Sequence, residues 1–143
     1  MVRITPWLSR AVLLVAALLL GLIGSKFIVD PVGAAAQSTM TLGTPLAVTN
    51  MRASFGAFPL GSSIFTLICL FSARRMIGLY FVMTIIGAAL AARLFGVAAD
   101  GTLVESLRLI GVETLLLLLS GAALYLELDR ASLDAQKRRG KGA

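Results

Sequence analysis

The sequence contains no histidine, a single cysteine and few charged residues, and each shortage excludes a class of chemistry. Without histidine, the Ser-His-Asp and Cys-His nucleophile arrangements and the commonest transition-metal ligand are missing. Cys69 alone can form neither an intrachain disulfide nor a set of thiolate ligands. The sequence therefore predicts no cofactor, no metal site and no catalytic residue.

Apolar residues make up 58% of the 143 residues, charged residues make up 14%, and the mean hydropathy is +0.93. Soluble domains average roughly 45 to 50% apolar and about 25% charged residues. Because a soluble domain of this size could not bury so much apolar surface, the composition indicates an integral membrane protein. Its length allows one domain, 1–143.

Four apolar runs are long enough to cross a hydrocarbon core about 30 Å thick, which needs roughly 20 helical residues. Thr44 before Pro45 predicts a helix start, and Pro59 predicts a distortion within the second run. These features predict an all-α fold, namely a polytopic transmembrane four-helix bundle. The lipid bilayer is its predicted partner. The predicted spans are 11–29, 50–73, 76–98 and 103–126, with an outward loop at 31–49 and a basic cytoplasmic tail at 130–143.

Small residues recur at a spacing of four residues in three of the spans. This pattern indicates that helix backbones approach each other closely. They are Ala17 and Gly21, then Ala53, Ala57 and Gly61, then Gly87 and Ala91.

The basic residues predict the orientation, because loops rich in Lys and Arg stay in the cytoplasm. The side with both termini and the Arg74-Arg75 turn carries nine bases and three acids, whereas the opposite side carries four of each. Both termini are therefore predicted to be cytoplasmic, in the inner membrane. In an alternative interpretation, Arg3, Arg10 and the first apolar run precede a cleavage site near 33–36, which would leave three spans.

The basic run from Lys137 to Lys141 predicts attraction to anionic lipid headgroups. A nucleic-acid partner is not predicted, because the run has no interleaved aromatic residues.

Polar residues gather toward the outward face, and Glu113 lies deepest among them. It precedes Glu127 by 14 residues, about 21 Å along a helix, so its carboxylate must be neutral or paired. Arg52 and Arg93 are its candidate partners on other helices, whereas Glu105 and Arg108 are spaced to pair with each other.

Two interpretations of these charges stay open: an interhelical ion pair that locks the bundle, or a pocket for a polar headgroup, an anion or a transported proton. The candidate binding residues are Asn50, Arg52, Arg93, Glu105, Arg108 and Glu113.

The polar residues also follow a recognisable order along the chain. Asp30-Pro31 closes span one, Asn50-x-Arg52-x-x-Phe55-Gly56 opens span two, Arg93 precedes Asp100-Gly101, and Glu113 lies in span four. This order resembles a domain-of-unknown-function family of small four-helix bacterial inner-membrane proteins, loosely DoxX-like. The resemblance implies the architecture and a polar cluster of Asn50, Arg52, Arg93 and Glu113, and it brings no established activity.

Two functional hypotheses follow. The first is a non-enzymatic accessory or packing subunit with a buried Arg/Glu cluster, either in a membrane complex or as a homo-oligomer. The alternative is a small transporter-like protein, or one that binds lipid or another small molecule, at Glu113, Arg52 and Arg93. An enzyme is the least favoured class.

Overall fold

The computed structural model describes the backbone of residues 5–140 and the side chains of residues 7–137. Arg3 and Lys141 of the predicted basic side lie outside the described residues. The described chain contains helices and no strand, so the predicted all-α class is confirmed. The elements are α1 (Thr5–Val29), α2 (Pro31–Gln37), α3 (Pro45–Met51), a π-helical segment (Arg52–Ala57), α4 (Phe58–Phe71), α5 (Arg75–Asp100) and α6 (Leu103–Gly140).

Four stretches are long and apolar enough to cross a membrane, which confirms the four-helix membrane architecture. They are Trp7–Val29, Pro45–Phe71, Arg75–Asp100 and Leu103–Lys137. Neighbouring spans run antiparallel: α1 packs against α4 and α6, and α5 packs against the same two helices. We call the end with Trp7, the 72–74 turn and Glu127 the basic end, and the end with α2 and Gly101 the capped end.

The main core lies toward the basic end. Three helices contribute to it: Val12, Leu13 and Ala16 from α1, Leu79 and Val82 from α5, and Ala123 and Leu124 from α6. Leu13 and Leu79 are fully buried. At the capped end Gly101 adopts a left-handed conformation (φ +70°), and its N–H donates to the Val97 carbonyl, which ends α5 and leads into α6 within two residues.

Helices α1 and α4 approach each other more closely than any side chain would allow. A Cβ atom added to Gly24 would lie 2.6 Å from the Leu60 nitrogen and 2.7 Å from the Gly56 oxygen. Farther along, the Ser63 hydroxyl donates a 2.7 Å hydrogen bond to the Ala17 carbonyl. Glycine is therefore required at Gly24, because the atoms facing it belong to backbone that cannot rotate away.

The predicted distortion near Pro59 takes the form of the π-helical segment immediately before α4. Proline offers no N–H to the preceding turn, and one-turn π-bulges are a common way for a helix to accommodate such a break. The segment buries Gly56 against Ile28 of α1. The Thr44 cap is confirmed, since its hydroxyl accepts a hydrogen bond from the Ala47 N–H at 3.2 Å.

The 31–49 region, expected as an outward loop, is largely helical. Asp30 caps α2 by accepting a hydrogen bond from the Gly33 N–H at 2.9 Å, and Pro31 supplies its first residue. Ala34 and Ala35 are then buried against Phe27 and Met51. A second small core therefore covers the capped end. The described part of the tail expected at 130–143 is likewise helical, because α6 continues to Gly140.

Most of the glycines that make the closest contacts between helices lie outside the predicted stripes. Gly61 has open space around it, and Gly87 meets only one side-chain atom, at 3.8 Å. Gly24, Gly56 and Gly78 make the closest approaches to other helices, together with Gly21 of the predicted set. Helix rotation decides which small residues face a neighbour, and spacing along one helix does not reveal that rotation.

Replacement of Gly24 by alanine should separate α1 from α4 and lower the free energy of unfolding by about 1 to 3 kcal/mol, the usual cost of overpacking. The measurement is unfolding of the detergent-purified protein by titration with a denaturing detergent.

Gly61→Ala is the matched control, because the added methyl group meets nothing within 4 Å. It should leave stability unchanged or raise it slightly, since alanine favours the helix. Equal losses in the two variants would contradict the close α1–α4 contact.

Candidate functional site

The structure pairs Glu113 of α6 with Arg93 of α5. The Arg93 Nη2 atom donates to Glu113 Oε1 at 2.7 Å, and Nε donates to both carboxylate oxygens, at 3.1 and 3.0 Å. This is the two-pronged geometry in which arginine binds a carboxylate most strongly. Of the two partners that the sequence offered to Glu113, the fold selects Arg93.

The pair is half-buried. Protein atoms leave 29% of the Arg93 side chain and 17% of the Glu113 side chain exposed. The expectation of a buried multi-residue cluster is thus corrected to one partly covered ion pair. An unpaired arginine or acid near the middle of a bilayer costs at least roughly 2.5 to 3.5 kcal/mol, and mutual pairing offsets much of this cost.

A cavity of about 300 Å³ opens beside the ion pair, between α1, α5 and α6. Its other lining residues are all apolar and extend from the ion pair toward the main core; among them are Leu20, Ile23, Val82, Ala89 and Leu116. Arg93 and Val82 are 11 residues apart on α5, which corresponds to about 16 Å along the helix. The cavity is therefore an elongated apolar space with one polar end.

The polar end of the cavity carries no net charge, because the positive charge of the Arg93 guanidinium and the negative charge of the Glu113 carboxylate cancel. Arg93 Nη1 makes no hydrogen bond within the described part of the chain, so its N–H donors are available to another molecule. The Glu113 oxygens already accept three hydrogen bonds from Arg93 and still retain lone pairs. The site can thus donate and accept hydrogen bonds at the end of an apolar space.

None of the other candidate residues forms an ion pair with Arg93 or Glu113 or lines the cavity in the described part of the chain. Arg52 is exposed, and its Nε donates to the Ile28 carbonyl at 3.1 Å, where it satisfies a carbonyl of the last turn of α1. Asn50 is exposed on α3. Glu105 and Arg108 are also exposed, and within the described residues they do not form the ion pair that their spacing allows.

A second link between α5 and α6 was not foreseen. At the basic end, Arg75 Nη1 lies 3.9 Å from Glu127 Oε1, too far for a hydrogen bond, and both atoms are buried without a hydrogen-bond partner. Both residues lie just outside the predicted spans 76–98 and 103–126, and nothing in the sequence indicates that they face each other. In residues 7–137 no group of three or more potential metal-ligating acidic or cysteine side chains comes together.

Replacement of Glu113 by glutamine should lower the free energy of unfolding by about 3 kcal/mol, because the Arg93 charge is left without its partner in an apolar surrounding. Thermal unfolding of the detergent-purified protein at neutral pH measures the loss. Glu105→Gln, on the same helix and exposed, is the control and should change stability little.

The double variant Arg93→Met, Glu113→Leu should recover most of that stability, since apolar residues can replace a paired charge at little cost. A single Glu113→Gln variant as stable as the wild type would contradict a structural contribution from the ion pair.

Comparison with known proteins identifies the family and no activity. The model of the domain of unknown function DUF4345 matches residues 3–124 of the chain. No curated protein and no solved structure matches. The matched segment includes Arg93, Glu113 and every residue that lines the cavity. The predicted membership in a domain-of-unknown-function family is confirmed, and the chain belongs to the DUF4345 family.

Proposed function

We propose that this membrane protein binds a lipid-like small molecule in the cavity between α1, α5 and α6. The observation that carries the proposal is an apolar cavity of about 300 Å³ that has one ion pair at its end. Sites for small molecules are typically apolar clefts of about this size in which a few polar groups fix the orientation of the ligand.

The chemistry of the lining indicates the class of ligand. A single apolar chain fits an elongated space, and a polar group at one end of that chain would meet the N–H donors of Arg93. An anion would be attracted by Arg93 and repelled by Glu113 at similar distances, so the two effects would largely cancel. The neutral Arg93–Glu113 pair therefore favours an uncharged or zwitterionic polar group over an anion. The ligand class is therefore an amphiphile with a hydroxyl, carbonyl or zwitterionic head.

A fatty alcohol with a photoactivatable diazirine in its chain tests the proposal. The purified protein is reconstituted in vesicles with this probe and irradiated, and the labelled residues are identified by mass spectrometry. Labelling should concentrate on cavity residues such as Leu20, Ile23 and Leu116, and an excess of the unlabelled alcohol should abolish it.

Ala89→Phe fills the cavity with an aromatic ring and should reduce the labelling at these residues at least several-fold. Ala88→Phe is the matched control: the same substitution one residue earlier lies outside the cavity lining and should leave the labelling unchanged. Equal labelling in both variants, or labelling spread evenly over the lipid-facing surface, would overturn the proposal.

An accessory or packing subunit, in a membrane complex or a homo-oligomer, is the second candidate. The observation that favours it is the exposure of α5, whose span is the least covered by the rest of the chain and which presents large side chains such as Leu94 and Phe95. The labelling experiment separates the two candidates. A purely packing role predicts no saturable labelling of the cavity and no difference between Ala89→Phe and Ala88→Phe.

We further propose that the protein resides in the inner membrane of a bacterium with both termini in the cytoplasm. The support is the excess of bases at the basic end, nine against three acids. A fluorescent protein that matures only in the cytoplasm should therefore fluoresce when it is fused to the C-terminus, and a periplasm-dependent phosphatase fused there should be inactive. The opposite pattern would contradict this orientation.

A further inference from the structure

A second apolar groove lies at the basic end, far from the Arg93–Glu113 pair. It runs between the first turns of α1 and the last turn of α4, and its lining is Trp7, Arg10, Ala11, Leu14, Leu70 and Phe71. Trp7 and Phe71 are 70% and 83% exposed, so the groove opens on the outer surface of the bundle. In a membrane such a surface faces lipid at the level of the headgroups, where tryptophan is commonly found.

The groove carries positive charge, and its described lining contains no acidic residue. The Arg10 guanidinium carbon lies 5.9 Å from the centre of the Trp7 ring, which holds the charge over the groove. Arg74 follows Phe71 by three residues, in the turn that closes the same end of the bundle. Arg75 faces Glu127, but neither Arg10 nor Arg74 forms an ion pair with any described residue.

We infer that this groove is a binding site for one anionic phospholipid of the surrounding bilayer. Its phosphate would lie against Arg10 and Arg74, and an acyl chain would occupy the apolar part formed by Ala11, Leu14 and Leu70. Charge complementarity carries the inference, because basic pockets between transmembrane helices bind anionic headgroups. Each base near the membrane surface contributes about 1 kcal/mol to the attraction for anionic lipid. The inference does not depend on the ligand proposed for the cavity, since the two sites share no residue.

Trp7 makes the test direct, because it is the only tryptophan in the chain and it lines the groove. The full-length protein is reconstituted in phosphatidylcholine vesicles that contain increasing fractions of either brominated phosphatidylglycerol or brominated phosphatidylcholine. Quenching of Trp7 fluorescence by each lipid gives their relative affinity at the groove. The wild type should prefer phosphatidylglycerol several-fold, and added salt should weaken the preference.

Arg10→Gln should reduce this preference about fivefold, the fold-change that corresponds to about 1 kcal/mol per base. Arg10→Lys keeps the charge and should retain most of the preference. Lys137→Gln is the matched control, because it removes the same unit of charge from an exposed position outside the groove. It should leave the preference unchanged.

Three results would overturn the inference. The first is equal quenching of the wild type by both lipids. The second is an equal effect of Arg10→Gln and Lys137→Gln, which would assign the preference to the overall charge. The third is a loss of preference in inorganic phosphate beyond that in sodium chloride of equal ionic strength, which would assign the arginines to a soluble anion.

Discussion

Every backbone amide and carbonyl inside a hydrocarbon layer must find its hydrogen bond within the protein, and this requirement shapes the whole bundle. It explains the long helices. It also explains why Arg52 donates to the Ile28 carbonyl in the last turn of α1, where the helix supplies no partner, and why the Ser63 hydroxyl donates to the Ala17 carbonyl. Where Pro59 interrupts the series of backbone hydrogen bonds, the chain adopts a π-helical turn and remains helical.

The bundle joins its helices in two physically different ways. Helices α1 and α4 are held by close backbone contact at Gly24 and Gly56, which increases dispersion attraction. Helices α5 and α6 are linked by charges, through the short Arg93–Glu113 pair toward the capped end and the longer Arg75–Glu127 pair at the basic end. The cavity lies where these two helix pairs meet, between α1 on one side and α5 and α6 on the other.

The two proposed ligand sites differ in the state of their arginines, and this difference sets their chemistry. Arg93 is neutralised by Glu113 and lies at one end of the apolar cavity, so it is suited to a polar group without net charge. Arg10 has no acidic partner among the described residues and lies over Trp7 at the surface of the bundle, so it is suited to an anion. The same residue type thus offers hydrogen-bond donors in one place and net positive charge in the other.

The sequence alone determined the features that depend on one helix at a time. Hydropathy and length specified the four spans and the all-α class, Thr44-Pro45 marked a helix start, Pro59 marked a break, and the depth of Glu113 required a partner. The α2 helix was missed, because its few small residues have no apolar periodicity and become buried only against Phe27 and Met51.

Packing of the complete bundle determined the features that depend on how the helices rotate and tilt against each other. It chose Arg93 over Arg52 for Glu113, left Asn50, Glu105 and Arg108 outside that pair, and brought Gly24 rather than Gly61 into close contact. It also created the cavity and the basic groove, whose linings come from residues distant in the chain. Spacing along a helix fixes which residues share a face, but the packing of all four helices determines what that face meets.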